Sequence, residues 1–185
     1  MDAQRLRAEL MDDAEFDLFV VQQRLHNHEA VVELCGSPVL QTLRLVTFVR
    51  EDGGVTMMFG FMKLALGTTS SDNYHAGLSG NGLADVDLVH GLLGPLMMAV
   101  AGGYGFRTQP LIPGTDRVVE GWAVPHWAEA CDLVRRSAPA FLPLRTLGWD
   151  IALTPVGPVI VEANNYWAGP LTPMSLEARA LLLHS

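Results

Sequence analysis

The clearest hydrophobic pattern in the sequence is a pair of apolar segments joined by a short polar turn. TLRLVTFVR leads into Glu51-Asp52-Gly53-Gly54, and VTMMFGFMKLAL follows it. Alternating segments rich in β-branched and aromatic residues, bounded by an Asp/Gly turn, are typical of a β-hairpin. The sequence therefore predicts two adjacent antiparallel strands here.

A second hairpin is predicted in GWDIALTPVGPVIVEANN, residues 148–165, with a turn in the Pro155–Pro158 region. Because side chains alternate between the two faces of a strand, one face would carry Ile151, Leu153, Val159, Val161 and Ala163. The other would carry Asp150, Ala152, Ile160, Glu162 and Asn164. A three-residue turn at Pro155–Gly157 would place Asp150 directly opposite Glu162.

The remaining pattern predicts helices at both ends and around residue 130. Residues 2–15 read as a helix and FDLFVVQQRL as a strand, while Pro125 precedes an amphipathic helix with Ala128, Cys131 and Val134 on one stripe. Residues 176–183 read as a terminal helix, and residues 83–118 give no clear pattern. Together these elements predict an α+β fold with a mostly antiparallel sheet and flanking helices.

Composition indicates a globular chain and narrows its partners. Of 185 residues, 49% are hydrophobic and 17% charged, which is enough apolar material for a packed core. The formal charge of −8 argues against a nucleic-acid partner. The start of the sequence carries no signal-peptide pattern. The longest apolar stretch is interrupted by Pro95 and several glycines, which argues against a membrane-spanning helix. Cys35 and Cys131 form no CxxC pair and are typical of buried thiols in a reducing compartment. We therefore expect a cytoplasmic protein without a membrane partner.

The facing carboxylates of Asp150 and Glu162 are the strongest chemical signal. Like charges opposite each other destabilise a sheet unless a cation lies between them, and carboxylate and amide oxygens are ligands that Mg²⁺ takes. The alternative is a solvated sheet edge with a chance cluster. Arg44 and Lys63 lie on neighbouring strands of the first hairpin and could face an anion held by the same metal, or simply extend to solvent.

Polar residues in the loop after Lys63 carry a weaker signal. Asp72, Asn73 and His75 are explained by turn chemistry alone, since Asp and Asn often bond their own backbone in loops.

Taken in order, several segments resemble the C-terminal part of ATP-grasp proteins, and more narrowly the sugar-transfer-associated ATP-grasp family. They are FVVQQRL, TLRLVTFV, SSDNYHAGL, DVDLVHG, EGWAVPHW and LGWDIALTPVGPVIVEANN, and the resemblance is strongest over residues 17–165. It implies ATP as cosubstrate and two Mg²⁺ ions held against its phosphates by Asp150, Glu162 and Asn164.

The same resemblance implies roles for residues outside the metal face. Arg44 would stabilise the transferred phosphate or acyl-phosphate, and Asn73 and Lys63 would lie near it. The backbone after Val21, with Gln22 and Leu25, resembles the hinge that holds adenine.

The reaction implied is a ligation in which ATP activates a small-molecule carboxylate as an acyl-phosphate for attack by an amine or other nucleophile. A kinase acting on a hydroxyl acceptor and a non-catalytic binding module are the alternatives. Nothing before Phe16 matches the family's lobe with phosphate-binding lysines. We therefore expect residues 1–185 to form a partial ATP-grasp domain, completed by a partner chain or an upstream segment, with a homodimer as a further arrangement.

Overall fold

A seven-stranded antiparallel sheet forms the body of the protein in this computed structural model, which describes residues 2–12, 14–15, 18–68, 70–100 and 105–167. Its strand order is β5-β4-β3-β2-β1-β6-β7. The strands are β1 (Thr42–Val49), β2 (Val55–Leu64), β3 (Gly82–Asp85), β4 (Leu96–Ala99), β5 (Phe106–Gln109), β6 (Thr146–Thr154) and β7 (Gly157–Asn164). The α-helices are α1 (Ala3–Met11), α2 (Glu29–Cys35) and α3 (Trp127–Ser137), and 3₁₀ turns span His75–Gly77 and Ala138–Phe141.

The main hydrophobic core lies between one face of this sheet and the helices α2 and α3. Leu43 and Leu45 of β1 and Trp149 of β6 are fully buried there, and the Trp149 indole donates a hydrogen bond to Thr47 Oγ1 at 2.8 Å. The helix α3 contributes Ala130, Cys131 and Val134, whereas Ala128 is exposed. Because core side chains fill this face of the sheet, a polar functional site is expected on the opposite face.

Both predicted hairpins are present. β1 pairs with β2 around the Glu51–Gly54 turn, with a β-bulge in β2 opposite Val46 and Thr47. β6 pairs with β7, and Asp150 lies opposite Glu162. The predicted α+β class with a mostly antiparallel sheet and flanking helices is therefore confirmed.

The β6–β7 turn differs from the prediction in length. Thr154 pairs with Gly157, so the turn contains only Pro155 and Val156, and a bulge beside Asp150 and Ile151 restores the Asp150–Glu162 pairing. The bulge changes which side chains share a face. Ile160 was predicted on the face of Asp150, but it pairs with Ile151 and packs against the main core. That part of the face prediction was wrong because strict alternation fails at a bulge.

The apolar segment before α2 is not a strand in its described part. Residues 18–28 are extended or irregular, and Leu18, Val20 and Val21 are 87%, 85% and 68% exposed. A strand requires a neighbour to receive its backbone hydrogen bonds, and in the described ladders no strand pairs with this segment. The predicted terminal helix over residues 176–183 lies outside the described residues.

Candidate functional site

A row of register-paired residues crosses the sheet on the face opposite the main core. Phe61 of β2 pairs with Arg44 of β1, Arg44 pairs with Asp150 of β6, and Asp150 pairs with Glu162 of β7. Paired residues point to the same side of a sheet, and Lys63 joins them because it lies two residues beyond Phe61. Four strands thus bring two cations and two carboxylates to one face.

Asp150 is the centre of this group. Its Oδ1 accepts a hydrogen bond from Arg44 Nε at 2.6 Å, and its Oδ2 accepts one from Arg44 Nη2 at 2.7 Å. Lys63 Nζ lies 3.2 Å from the same Oδ2. The two-point contact between Arg44 and Asp150 matches the planar fork of a guanidinium, which pairs more specifically with a carboxylate than an ammonium does. Both oxygens of Asp150 are therefore engaged by cations.

A second buried carboxylate extends the group. Asp72 Oδ2 accepts hydrogen bonds from the backbone N–H and the hydroxyl of Thr42, at 2.7 and 2.6 Å. Its Oδ1 lies 3.8 Å from Lys63 Nζ. Burial raises the pKa of the Asp72 carboxyl, and the nearby Lys63 ammonium and the Thr42 donors oppose that rise without cancelling it. The order of charges is therefore Arg44, Asp150, Lys63 and Asp72, two positive and two negative in alternation.

The side-chain amide of Asn81 helps to hold the loop that carries Asp72 and Asn73. Asn81, which is buried, donates from its Nδ2 to the backbone oxygens of Ser71 and Asn73, both at 2.9 Å. Its Oδ1 accepts from the Gly67 N–H at 3.0 Å. Asn73 itself is exposed on this loop. The loop is thus fastened on both sides of Asp72 while the side chain of Asn73 remains accessible.

The predicted metal ligands share the polar face of the sheet, and their role as a ligand set stays a prediction. Glu162 is exposed beside Asp150, and Asn164 pairs with Gly148, to whose backbone oxygen its Nδ2 donates at 3.5 Å. Within the described ranges, no three His, Cys, Asp or Glu side chains form a group that could hold a metal ion. The oxygen donor set suits Mg²⁺, and a metal at Asp150 would share this carboxylate with Arg44 and Lys63 or replace one of them.

An apolar cluster occupies the rest of this face. Val46, Phe59 and Phe61 form it together with Leu83 and Met97. Trp167 meets Phe59 edge-to-face, with ring centroids 5.5 Å apart. It also crosses Gly148, where a Cβ atom would come within 2.6 Å of the Trp167 Cβ and 3.3 Å of Arg44 Nη1. Glycine at this position therefore permits the tryptophan and the arginine to meet over β6.

Comparison with known proteins identifies the family of this chain. The family model of sugar-transfer associated ATP-grasp proteins matches residues 12–182. The chain belongs to the sugar-transfer-associated ATP-grasp family. Searches of curated proteins and of solved structures found no match to this ATP-grasp chain.

Three of the predicted site residues of this ATP-grasp protein, Arg44, Lys63 and Asp150, are in direct contact. Glu162 is the register neighbour of Asp150. Asn73 and Asn164 make no described side-chain contact with this group, and their roles stay predictions. The residues predicted to form the adenine hinge lie in the irregular segment before α2, where Val21 and Gln22 are exposed and Leu25 is half-buried, and this role also stays a prediction.

Sequence reasoning passed over two residues of the group. Asp72 was attributed to turn chemistry, yet its bonds run to Thr42, thirty positions away. Thr42 was seen only as the start of a strand. No local pattern could have found this pair, because strand and loop meet only in the folded sheet.

Among the described helices, none is long and apolar enough to cross a membrane.

Proposed function

We propose that this protein is an ATP- and Mg²⁺-dependent ligase that activates a carboxylate as an acyl-phosphate. The observation that carries the proposal is the buried contact of Arg44 and Lys63 with Asp150, directly beside Glu162 in the sheet register. Arg and Lys side chains are seldom buried unless they are paired. At this site, a bound phosphate could pair with Arg44 and Lys63 while a bound metal ion pairs with Asp150, so that the buried charges stay compensated.

The reaction would proceed in two steps. The substrate carboxylate attacks the γ-phosphorus of ATP, the bond to the β,γ-bridging oxygen breaks, and ADP leaves. An amine or another nucleophile then attacks the acyl carbon, inorganic phosphate leaves with the bonding electrons, and the nucleophile loses a proton to solvent. Mg²⁺ held by Asp150, Glu162 and Asn164 would neutralise charge on the phosphates.

The residues of this chain would act by exchanging partners. Arg44 is paired with Asp150 in two-point fashion, so its fork is already oriented along the sheet face. If the Asp150 carboxylate bound a metal ion, the two N–H donors of Arg44 would become available to phosphoryl oxygens. Guanidinium geometry suits these oxygens equally well. Lys63 adds a compact positive charge next to it, and Asn73 an accessible amide. Preorganised donors of this kind contribute most where charge develops during phosphoryl transfer.

The exposed apolar segment supports a further part of the proposal, namely that another polypeptide segment or chain completes the nucleotide site. Leu18, Val20 and Val21 each have most of their surface exposed. Apolar side chains grouped in this way commonly mark an interaction surface. If Val21, Gln22 and Leu25 hold adenine, as the resemblance implies, the same segment would lie next to the nucleotide.

Calorimetric titration with ATP, with and without Mg²⁺, tests the nucleotide part. We expect binding that requires Mg²⁺ and is lost in Glu162→Gln, while Glu120→Gln, which removes an exposed carboxylate elsewhere, retains it. If neither the chain alone nor the chain with a candidate partner binds Mg²⁺-ATP, the proposal is wrong. Product analysis then separates the reactions: an amide or ester with free phosphate supports the ligase, and a stable phosphorylated hydroxyl compound supports a kinase.

A further inference from the structure

Asp72 makes contacts that a turn residue does not need. Asp in a loop usually accepts hydrogen bonds from its own backbone two residues on. Here Oδ2 accepts both donors of Thr42 on β1, which leaves Oδ1 toward Lys63 on β2. The residue is only 7% exposed, and a buried carboxylate is costly unless it is paired and hydrogen-bonded. Its place between two strands therefore calls for an explanation beyond the turn.

Lys63 lies between two carboxylates that have different environments. Asp150 Oδ2 is 3.2 Å from Nζ and Asp72 Oδ1 is 3.8 Å from it. Asp150 is shared with Arg44 and, under the proposed function, is given up to the metal when nucleotide binds. Asp72 is instead held by Thr42, which has no part in metal binding. Asp72 is thus an anion that still faces Lys63 after Asp150 has changed partner.

We propose that Asp72 is a positioning residue that holds Lys63 toward the terminal phosphate while Asp150 binds metal. The inference rests on the proposed function and adds to it the residue through which Lys63 is directed. Without Asp72, a lysine released by Asp150 has four rotatable bonds and loses the carboxylate oxygen 3.8 Å from its Nζ that opposes rotation of the ammonium toward solvent. With it, the ammonium is confined between the carboxylate and the incoming phosphate.

Asn81 makes the position of Asp72 well defined. Its amide donates to the backbone oxygens of the residues on either side, Ser71 and Asn73, so the loop cannot turn Asp72 outward without breaking both bonds. The two Thr42 hydrogen bonds add a second point of attachment on β1. A positioning role requires this kind of rigid support, because a misplaced group loses most of its effect on a bound phosphate.

The test compares two nucleotides in the presence of Mg²⁺, adenylyl imidodiphosphate and ADP, by calorimetry. Asp72→Asn is expected to weaken binding of the triphosphate analogue about tenfold, the equivalent of one favourable charge contact, and to leave ADP within about twofold. Lys63→Met should show the same selectivity, and the double variant should lose no more than either single one. Asp116→Asn, which removes an exposed carboxylate in the β5–α3 connection, should match the wild type.

The outcomes separate this inference from the function it rests on. A wild-type protein that binds neither nucleotide overturns the proposed function, and this inference with it. If wild type binds but Asp72→Asn binds both nucleotides as wild type does, weakens both equally, or adds its loss to that of Lys63→Met, only the role of Asp72 is overturned. Should Asp72→Asn fail to fold, Thr42→Val, which removes one of the two donors, must weaken the triphosphate analogue selectively for the inference to stand.

Discussion

The two carboxylates of the proposed metal face should differ sharply in what they contribute to the stability of the unliganded protein. Asp150 is nearly buried and holds Arg44 and Lys63, whereas Glu162, its register neighbour, is exposed. Replacing Asp150 by Asn removes a charge that compensates two cations. Replacing Glu162 by Gln removes a charge that has no described ion pair. The same chemical change is therefore expected to destabilise the protein strongly at Asp150 and hardly at all at Glu162, the neighbouring position in the sheet register.

The magnitude follows from the burial of the partners. The side chains of Arg44, Asp150 and Lys63 are 12%, 8% and 9% exposed, so solvent can replace little of the lost contact. Removing one partner of a buried pair typically costs about 3–5 kcal/mol of unfolding free energy. In a protein of this size that corresponds to a fall in melting temperature of roughly 6–20 °C. Glu162→Gln should change the unfolding free energy by no more than about 0.5 kcal/mol, with the melting temperature unchanged or slightly raised.

Urea unfolding followed by tryptophan fluorescence measures both variants, since Trp149 is buried in the core next to Asp150 in sequence. Asp116→Asn controls for the loss of an exposed negative charge. The reasoning is refuted if Asp150→Asn unfolds at the wild-type urea midpoint, because the cations would then not depend on that carboxylate. It is also refuted if Glu162→Gln is destabilised as much as Asp150→Asn. Adding Mg²⁺ and ATP should stabilise wild type but not Glu162→Gln, since a ligand stabilises only in proportion to its binding.

Three further predictions concern the polar face and its surroundings. Burial raises the folded-state pKa of Asp72, so the contribution of this residue to stability is largest in acid and is lost as pH rises from about 4 through the raised pKa. The unfolding free energy of wild type minus that of Asp72→Asn should therefore fall between acid and neutral pH. A rise in this difference would contradict the assignment. Gly148→Ala should destabilise by about 1–3 kcal/mol in urea, because its Cβ would meet Trp167; an unchanged midpoint would show that the tryptophan does not cross the glycine. Burial raises the pKa of Cys35 to about 12, so this thiol should resist a disulfide reagent at pH 8 until the protein is denatured, and rapid labelling of Cys35 in the native protein would contradict that burial.

Local sequence determined the parts of this protein in which neighbouring residues carry the necessary information. The two hairpins around Gly53 and Pro155 were predictable because turn residues and alternating apolar side chains act within a few positions of each other. The same alternation predicted Asp150 and Glu162 on one face, but in the structure the bulge beside Asp150 is what pairs them. Arg44 and Lys63 could be assigned to adjacent strands for the same reason.

Tertiary structure decided what depended on distant partners. Residues 18–25 have the composition of a strand, but strand formation depends on a neighbour that the pattern does not contain, and no described strand pairs with them. The bulge that turns Ile160 toward the core compensates for a two-residue turn, which no face assignment by alternation can anticipate. The bond between Asp72 and Thr42 joins a loop to a strand thirty positions earlier. In the unfolded chain, water solvates Lys63 and Asp72 separately. Only when folding buries both side chains does each charge need the other for compensation.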